Sequence, residues 1–190
     1  TAFSSIDSWA LLAMPLFILA GEIISRGRTA KDIVRLSEAI VGWTSGGLGT
    51  ATIFGCFFFA GTSGSSSADT ITIGRIMIPA LRTRGYNASY AASLAASGGL
   101  LGVIIPPSLI FIIYGISTST SIGELFIAGI SPGLLIALTL SISNSLVCRF
   151  STWALVDKKL FSFRKLLSAL WHAKWGLGAP LIPVSYTHLT

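Results

Sequence analysis

Gly61-Thr-Ser-Gly-Ser-Ser-Ser-Ala-Asp69 is a run of glycines and small hydroxyl residues closed by one carboxylate. The apolar run Ala51-Thr-Ile-Phe-Gly-Cys-Phe-Phe-Phe-Ala60 precedes it, and the mixed run Thr70-Ile-Thr-Ile-Gly-Arg-Ile-Met-Ile-Pro79 follows. A polar loop between such arms is either an ordinary surface turn or the tip of a hairpin pushed into a membrane. Composition bears on the choice first. The 190 residues are 52% hydrophobic and only 11% charged, with a mean hydropathy of +0.78, whereas a soluble domain carries about a quarter charged residues. An integral membrane protein is therefore expected. The net charge is +6, but the cations lie in loops beside apolar segments, which points to topology and not to nucleic acid. Cys56 and Cys148 sit inside apolar runs without metal or redox spacing and read as small buried hydrophobes.

The arms flanking residues 61–69 are short. The 15 residues of 46–60 reach roughly 22 Å as a helix, and the return arm over 70–80 is shorter still. A hydrocarbon core is about 30 Å thick. Arg26, Arg28, Lys31 and Arg35 precede the arms, and Arg82 and Arg84 follow them. By the positive-inside rule both flanks face the cytoplasm. The chain is thus expected to enter the membrane and return, as a re-entrant helical hairpin with its polar tip at membrane depth. Arg82 and Arg84 read as topology anchors, not as solute ligands.

Residues 9–24 form the first membrane segment. Pro15 is tolerated there when neighbours satisfy the freed carbonyl, and Glu22 reads as an interfacial carboxylate beside Arg26 and Arg28. Residues 29–41 predict an amphipathic helix along the membrane surface, with Thr29 and Asp32 as a capping-box-like start. Its apolar stripe is Ile33, Val34, Leu36, Ile40 and Val41. Residues 88–116 are interrupted by Ser97-Gly-Gly99, Gly102 and Pro106-Pro107-Ser108, which predicts two half-helices joined by unwound backbone. Residues 117–124 lack Lys and Arg and should face outside, and 122–148 cross back. The basic segment 149–176 contains a second surface helix, with Phe163, Leu166, Leu167, Leu170 and Trp171 beside Lys165 and Lys174.

The expected architecture is therefore all-α and integral to the membrane: multi-spanning helices with a re-entrant hairpin and a discontinuous helix. Its divisions are 1–44 (membrane helix plus surface helix), 45–148 (hairpin 46–80, broken helix 88–116, helix 122–148), 149–176 (basic, cytoplasmic), 177–183 (start of a further apolar segment) and 184–190 (an off-pattern tail). The opening Thr-Ala-Phe, without Met or a signal peptide, reads as the start of an internal piece of a longer protein.

Irregular backbone survives at membrane depth only inside protein or against a water-filled cavity. The two irregular places, 61–69 and 97–108, would together supply hydroxyls, free carbonyls and one carboxylate. Such hard oxygen ligands suit a small cation such as Na+, and the half-helix N-termini after Asp69 and Pro107 would face an anion. A cation beside an anionic solute is the pattern of an ion-coupled transporter with discontinuous helices. Rival readings are weaker. No Lys follows the loop as in a P-loop, and neither a G-x-S-x-G spacing nor a histidine near the serines supports a hydrolase. Small residues that serve only helix packing remain an alternative for Gly55 and Gly102.

Met14-Pro-Leu-Phe-Ile-Leu-Ala-Gly-Glu22, the 60–69 tip, Pro79 with Arg84-Gly-Tyr86, and Ser97-Gly-Gly-Leu-Leu-Gly-Val-Ile-Ile-Pro-Pro-Ser108 together resemble the large membrane subunit of TRAP (tripartite ATP-independent periplasmic) transporters. The resemblance runs from about the first residues to Pro183. It implies half of an inverted-repeat, elevator-type, Na+-driven permease in a bacterial inner membrane, importing organic acids such as C4-dicarboxylates or sialic acid. It also implies a small membrane subunit and a periplasmic solute-binding protein as partners, with no enzyme activity and no cofactor beyond the coupling ion. On this reading Ser63, Ser65, Asp69 and the backbone around Gly102 and Pro106 hold Na+, and Thr62, Ser66 and Ser108 meet the solute. Asp69 as an N-cap of the return arm is the competing role. The family continues into a second repeat, so this stretch is not expected to transport by itself. A non-transporting membrane scaffold and a channel are the alternatives.

Overall fold

The computed structural model describes residues 27–151 and 162–178, together with Pro15, Leu19 and residues 21–23. The described residues are helices and turns, with no strand among them. In chain order they form α1 (Thr29–Val41), α2 (Gly47–Ser63), α3 (Ser66–Thr83), α4 (Ala88–Gly99), a 3₁₀ turn (Leu100–Val103), α5 (Leu109–Thr118), α6 (Ile122–Phe150) and α7 (Phe163–Gly178). The first membrane segment falls on described residues only at Pro15, Leu19 and 21–23, which are helical. Arg26, Lys158, Lys159 and residues 179–190 lie outside the described residues.

Helix α2 is the centre. Thirteen of its 17 residues are buried, and α1, α3, α4, the 3₁₀ turn, α6 and α7 all touch it. An all-round apolar helix belongs in an interior, and here the core of Ile53, Cys56, Phe59 and Ala60 meets Ile33 and Val34 of α1 and Ile73, Met77 and Leu81 of α3. α1 spans the residues its periodicity predicts, and Ile33, Val34 and Leu36 are buried with Ala30 and Ser37. Its start differs from expectation. The N-cap is Arg28 without a side-chain cap bond, and Asp32 pairs with Arg35 at 3.3 Å, so Thr29 and Asp32 make no capping box.

The two arms of the hairpin are longer than their apolar runs suggest. α3 begins at Ser66 and passes through Pro79 to Thr83, because a proline at a membrane-type helix position costs little when its freed carbonyl is otherwise satisfied. α2 and α3 are therefore each about 26 Å long, close to a full crossing and not the shorter length expected.

The break in 88–116 also falls later than the glycines suggest. Ser97, Gly98 and Gly99 stay within α4, Gly102 lies in the 3₁₀ turn, and the chain is irregular only over residues 104–108, where Pro106–Pro107 is cis. Glycines in an apolar helix mark close approach here, not termination. α4 itself starts with a side-chain cap: Asn87 Oδ1 accepts from the Ser89 N–H at 2.9 Å. Asn87→Ala is expected to cost about 1 kcal/mol. The check is a lower thermal midpoint in detergent; an unchanged midpoint would show that water replaces the cap without cost.

α6 shows how an apolar helix chooses its inner face. Phe126, Gly129, Gly133, Ala137, Ser141, Asn144 and Cys148 are buried, while Ile127, Leu135 and Ile142 on the other side are 65, 65 and 60% exposed. Past Phe126 the buried stripe is of small or polar residues, the exposed one large and apolar, as is common for helix packing in lipid. Among the described residues α6, of 29 residues, is the one helix long and apolar enough to cross a membrane. α7 touches α1 and α2; Ala173 is buried, whereas Phe163, Leu167, Leu170 and Trp171 are exposed, and Lys174 Nζ sits 3.6 Å from the centre of the Trp171 ring.

Candidate functional site

The hairpin turns in two residues. α2 ends on Gly64, whose φ of 59° is left-handed and whose N–H donates to Ala60 O at 3.1 Å. Left-handed backbone favours glycine at a helix C-terminus, and space demands it as well: a Cβ on Gly64 would lie 2.8 Å from Pro107 O. Ser65 is extended, and α3 restarts at Ser66. Pro107 belongs to the irregular stretch between the 3₁₀ turn and α5. The two irregular places in the chain therefore abut, at Gly64 against Pro107.

Asp69 occupies that junction, in the first turn of α3 and fully buried. Its Oδ1 accepts from the Ser63 hydroxyl, whose oxygen in turn accepts from the Ser65 N–H at 3.3 Å. Its Oδ2 has no hydrogen-bond partner among the described residues. That oxygen points at Gly102: a Cβ there would overlap it, and would lie 2.9 Å from both Asp69 Cγ and the carbonyl carbon of Ser65. Gly21 of the first segment packs on the end of α2, where a Cβ on it would lie 3.4 Å from Ser63 Cα and 3.5 Å from the carbonyl oxygens of Ser63 and Thr62. The Asp69 N–H donates to Ser65 O at 3.1 Å within the helix, but its side chain does not cap α3, so the N-cap reading of Asp69 is corrected.

Of the predicted site residues, Ser63, Ser65, Asp69 and Gly102 meet at one point. Pro106 is half-buried, and its neighbour Pro107 makes the contact with the tip. Thr62 and Ser108 are buried, but each hydroxyl donates to its own backbone, to Phe59 O at 2.7 Å and to Val103 O at 2.7 Å. Ser66 is half-buried at the first position of α3. Two participants escaped the sequence reading. Gly64 was hidden among the loop's other small residues, and Thr70, one residue past the quoted run, packs against Gly99 so closely that a Cβ on Gly99 would overlap its hydroxyl. The pairing of Gly98, Gly99 and Gly102 with Cys56, Thr70 and Asp69 was available only as a spacing without a partner.

The chemistry open to this site is that of a buried carboxylate. An ionised carboxylate without water needs a cation, a full set of donors or a proton, and here one oxygen has a hydroxyl donor while the other has none. No group of three His, Cys, Asp or Glu side chains that could hold a metal ion occurs among the described residues. His172 lies exposed on α7, far along the chain from the serines.

The family model described as "Tripartite ATP-independent periplasmic transporter, DctM component" matches residues 1–189. The chain is 40% identical over 183 residues to the isethionate TRAP transporter permease protein DctMQ of Oleidesulfovibrio alaskensis, covering 95% of this chain and 28% of that protein. It is 39% identical over 169 residues to the C4-dicarboxylate TRAP transporter large permease protein DctM of Vibrio cholerae, covering 89% and 37%. It is 38% identical over 189 residues to the 2,3-diketo-L-gulonate TRAP transporter large permease protein YiaN of Escherichia coli, covering 96% and 42%. The chain thus spans less than half the length of these relatives. With its hairpin tip seated on a proline-broken helix, and matched along nearly its whole length, the chain belongs to the DctM family of large permease components of tripartite ATP-independent periplasmic transporters.

Proposed function

We propose that this chain is part of a Na+-coupled permease that imports an organic acid across a bacterial inner membrane. The observation that carries the reading is Asp69: fully buried, bonded through one oxygen to Ser63, with its other oxygen unpartnered among the described residues and facing Gly102. A small cation seated among Asp69, Ser63 and the backbone of Ser65 and Gly102 would satisfy that oxygen. Na+ is then cargo of the cycle, travelling with the solute. Thr62, Ser66 and Ser108 are assigned to the solute, with the start of α5 after Ser108 turned toward its charge. Thr62 and Ser108 would exchange their present backbone partners to do so.

In this reading α2 and α3 form a re-entrant hairpin, and the transport unit moves as an elevator against a second, inverted repeat. Lys31 and Arg35 precede the hairpin and Arg82 and Arg84 close it, and Arg75, exposed and nine residues into α3, sets a charge about 14 Å from the tip. Such a charge disfavours α3 as an independent lipid-facing crossing and supports a hairpin entering from one side. The partners are a small membrane subunit and a periplasmic solute-binding protein, as the tripartite family name implies, and the surroundings are a lipid bilayer. The relatives' names differ in their solute, so family membership alone leaves the particular acid open. Those names are permeases throughout, which does not favour the scaffold alternative.

The test is uptake into proteoliposomes holding the full-length permease, its small subunit and its binding protein. Loading of radiolabelled solute from a panel of organic acids should require an inward Na+ gradient, with K+ unable to replace Na+. Uptake indifferent to Na+ would overturn the coupling.

A further inference from the structure

At the opposite end of α2 a second buried polar cluster joins three helices. Asn144 of α6 is 1% exposed, and its Nδ2 donates to Gly46 O and to Thr50 Oγ1, each at 3.0 Å. Its Oδ1 accepts from the Tyr90 hydroxyl of α4 at 3.1 Å, and Cys148 Sγ lies 3.6 Å away. Cys148 Sγ is also 3.7 Å from the Tyr86 hydroxyl, and the Tyr86 and Tyr90 rings stack at 6.3 Å. There is no slack. Gly46 is left-handed at φ 71°, a Cβ on it would fall 2.7 Å from Cys148 Sγ, and a Cβ on Gly49 would overlap Asn144 Oδ1.

An apolar side chain would hold α6 against α2 in any of several registers. A primary amide bonded to three partners 54 to 98 residues away in sequence is satisfied in one register only, which is what a buried polar network specifies. The two helices it fixes are the two walls of the Asp69 site. α2 carries Ser63 at its far end, and α4 leads directly into the 3₁₀ turn that carries Gly102. With arms of about 25 Å, a tilt of roughly 2° at the Asn144 end displaces the tip by about 1 Å, larger than the ~0.5 Å tolerance of a built site.

We propose that Asn144 is a positioning residue for ion binding, setting from the far end of α2 and α4 the gap in which Asp69 and Gly102 face each other. The proposal rests on the Na+ reading of Asp69, and the experiment separates the two. The full-length permease, in detergent, is titrated with NaCl against KCl at constant ionic strength, and thermal stabilisation is read at each point. Asn144→Ala, Thr50→Val and Tyr90→Phe should each raise the half-saturating Na+ concentration about 3- to 10-fold, while Thr50→Ser, which keeps the hydroxyl, matches the wild type. Tyr90→Phe removes a single oxygen and keeps the test open if Asn144→Ala does not fold. Variants with lower midpoints but an unmoved Na+ titration would show that the cluster serves stability alone and overturn the proposal. A wild type with no Na+-specific stabilisation would overturn the ion reading, and the proposal with it.

Discussion

Asparagine in place of Asp69 is expected to reduce Na+-driven uptake by the full-length permease at least 100-fold. The substitution keeps the shape of the side chain and a group able to bond Ser63, and it removes one charge. In water a Na+–carboxylate contact is weak, but Asp69 is fully buried, and leaving one partner of a buried ionic pair without the other costs about 3–5 kcal/mol. That energy corresponds to a factor of more than 100 in the affinity for the ion. The same physics predicts a second result of opposite sign. Without Na+ the wild type must either bury a charge whose Oδ2 has no donor among the described residues or take up a proton, whereas the amide is neutral from the start. Asp69→Asn should therefore be at least as heat-stable as the wild type in KCl, and should lose any extra stabilisation by NaCl. Uptake near the wild-type rate, restored or not by high Na+, would remove Asp69 from the ion site. A protein that fails to assemble in KCl would assign the carboxylate a structural role.

How much of this was legible beforehand depended on the physics behind each signal. The membrane class, the surface periodicity of 29–41 and the two irregular places could be read directly, because charge depletion, amphipathic spacing and Pro-Pro leave marks that need no partner. Asp69 stood out as the lone carboxylate of a polar loop. Helix ends were read less well. α2 runs on to Ser63 and α3 starts at Ser66, inside the stretch read as a loop, and Ser97, Gly98 and Gly99 did not stop α4, since the rule that glycine and serine interrupt a helix comes from helices in water, where a bare backbone meets solvent. The inner face of α6 was read least. In water the buried stripe is the more apolar one, but here Gly129, Gly133, Ser141 and Asn144 point inward and Ile127, Ile130, Leu135, Leu138 and Ile142 outward. Asn144 passed as one more polar residue in an apolar helix, and nothing short of its partners at Gly46, Thr50 and Tyr90 could distinguish it.

Gly102 offers the sharpest check on the geometry, because its role depends on a contact and not on a charge. A methyl group there would overlap Asp69 Oδ2 and press on the Ser65 carbonyl carbon at 2.9 Å. One of these neighbours is a side chain that can rotate; the other is backbone in the hairpin turn that Gly64 and Pro107 already pin. Overpacking of this kind costs about 1–3 kcal/mol, so Gly102→Ala should lower the thermal midpoint and cut Na+-driven uptake by more than tenfold. Packing alone, as between any two membrane helices, would predict the stability loss too. The distinction comes from the double variant. Asp69→Ala removes the atoms that the new methyl strikes, so combining it with Gly102→Ala should recover part of the lost stability, and the two substitutions should depart from additivity by more than the ~0.5 kcal/mol seen for independent sites. Uptake should stay as low as in Asp69→Ala alone, because the recovered fold still lacks the carboxylate. Additive losses in midpoint would mean that Gly102 and Asp69 do not touch in the folded permease, and the cation would then have to be sought elsewhere along the broken helix.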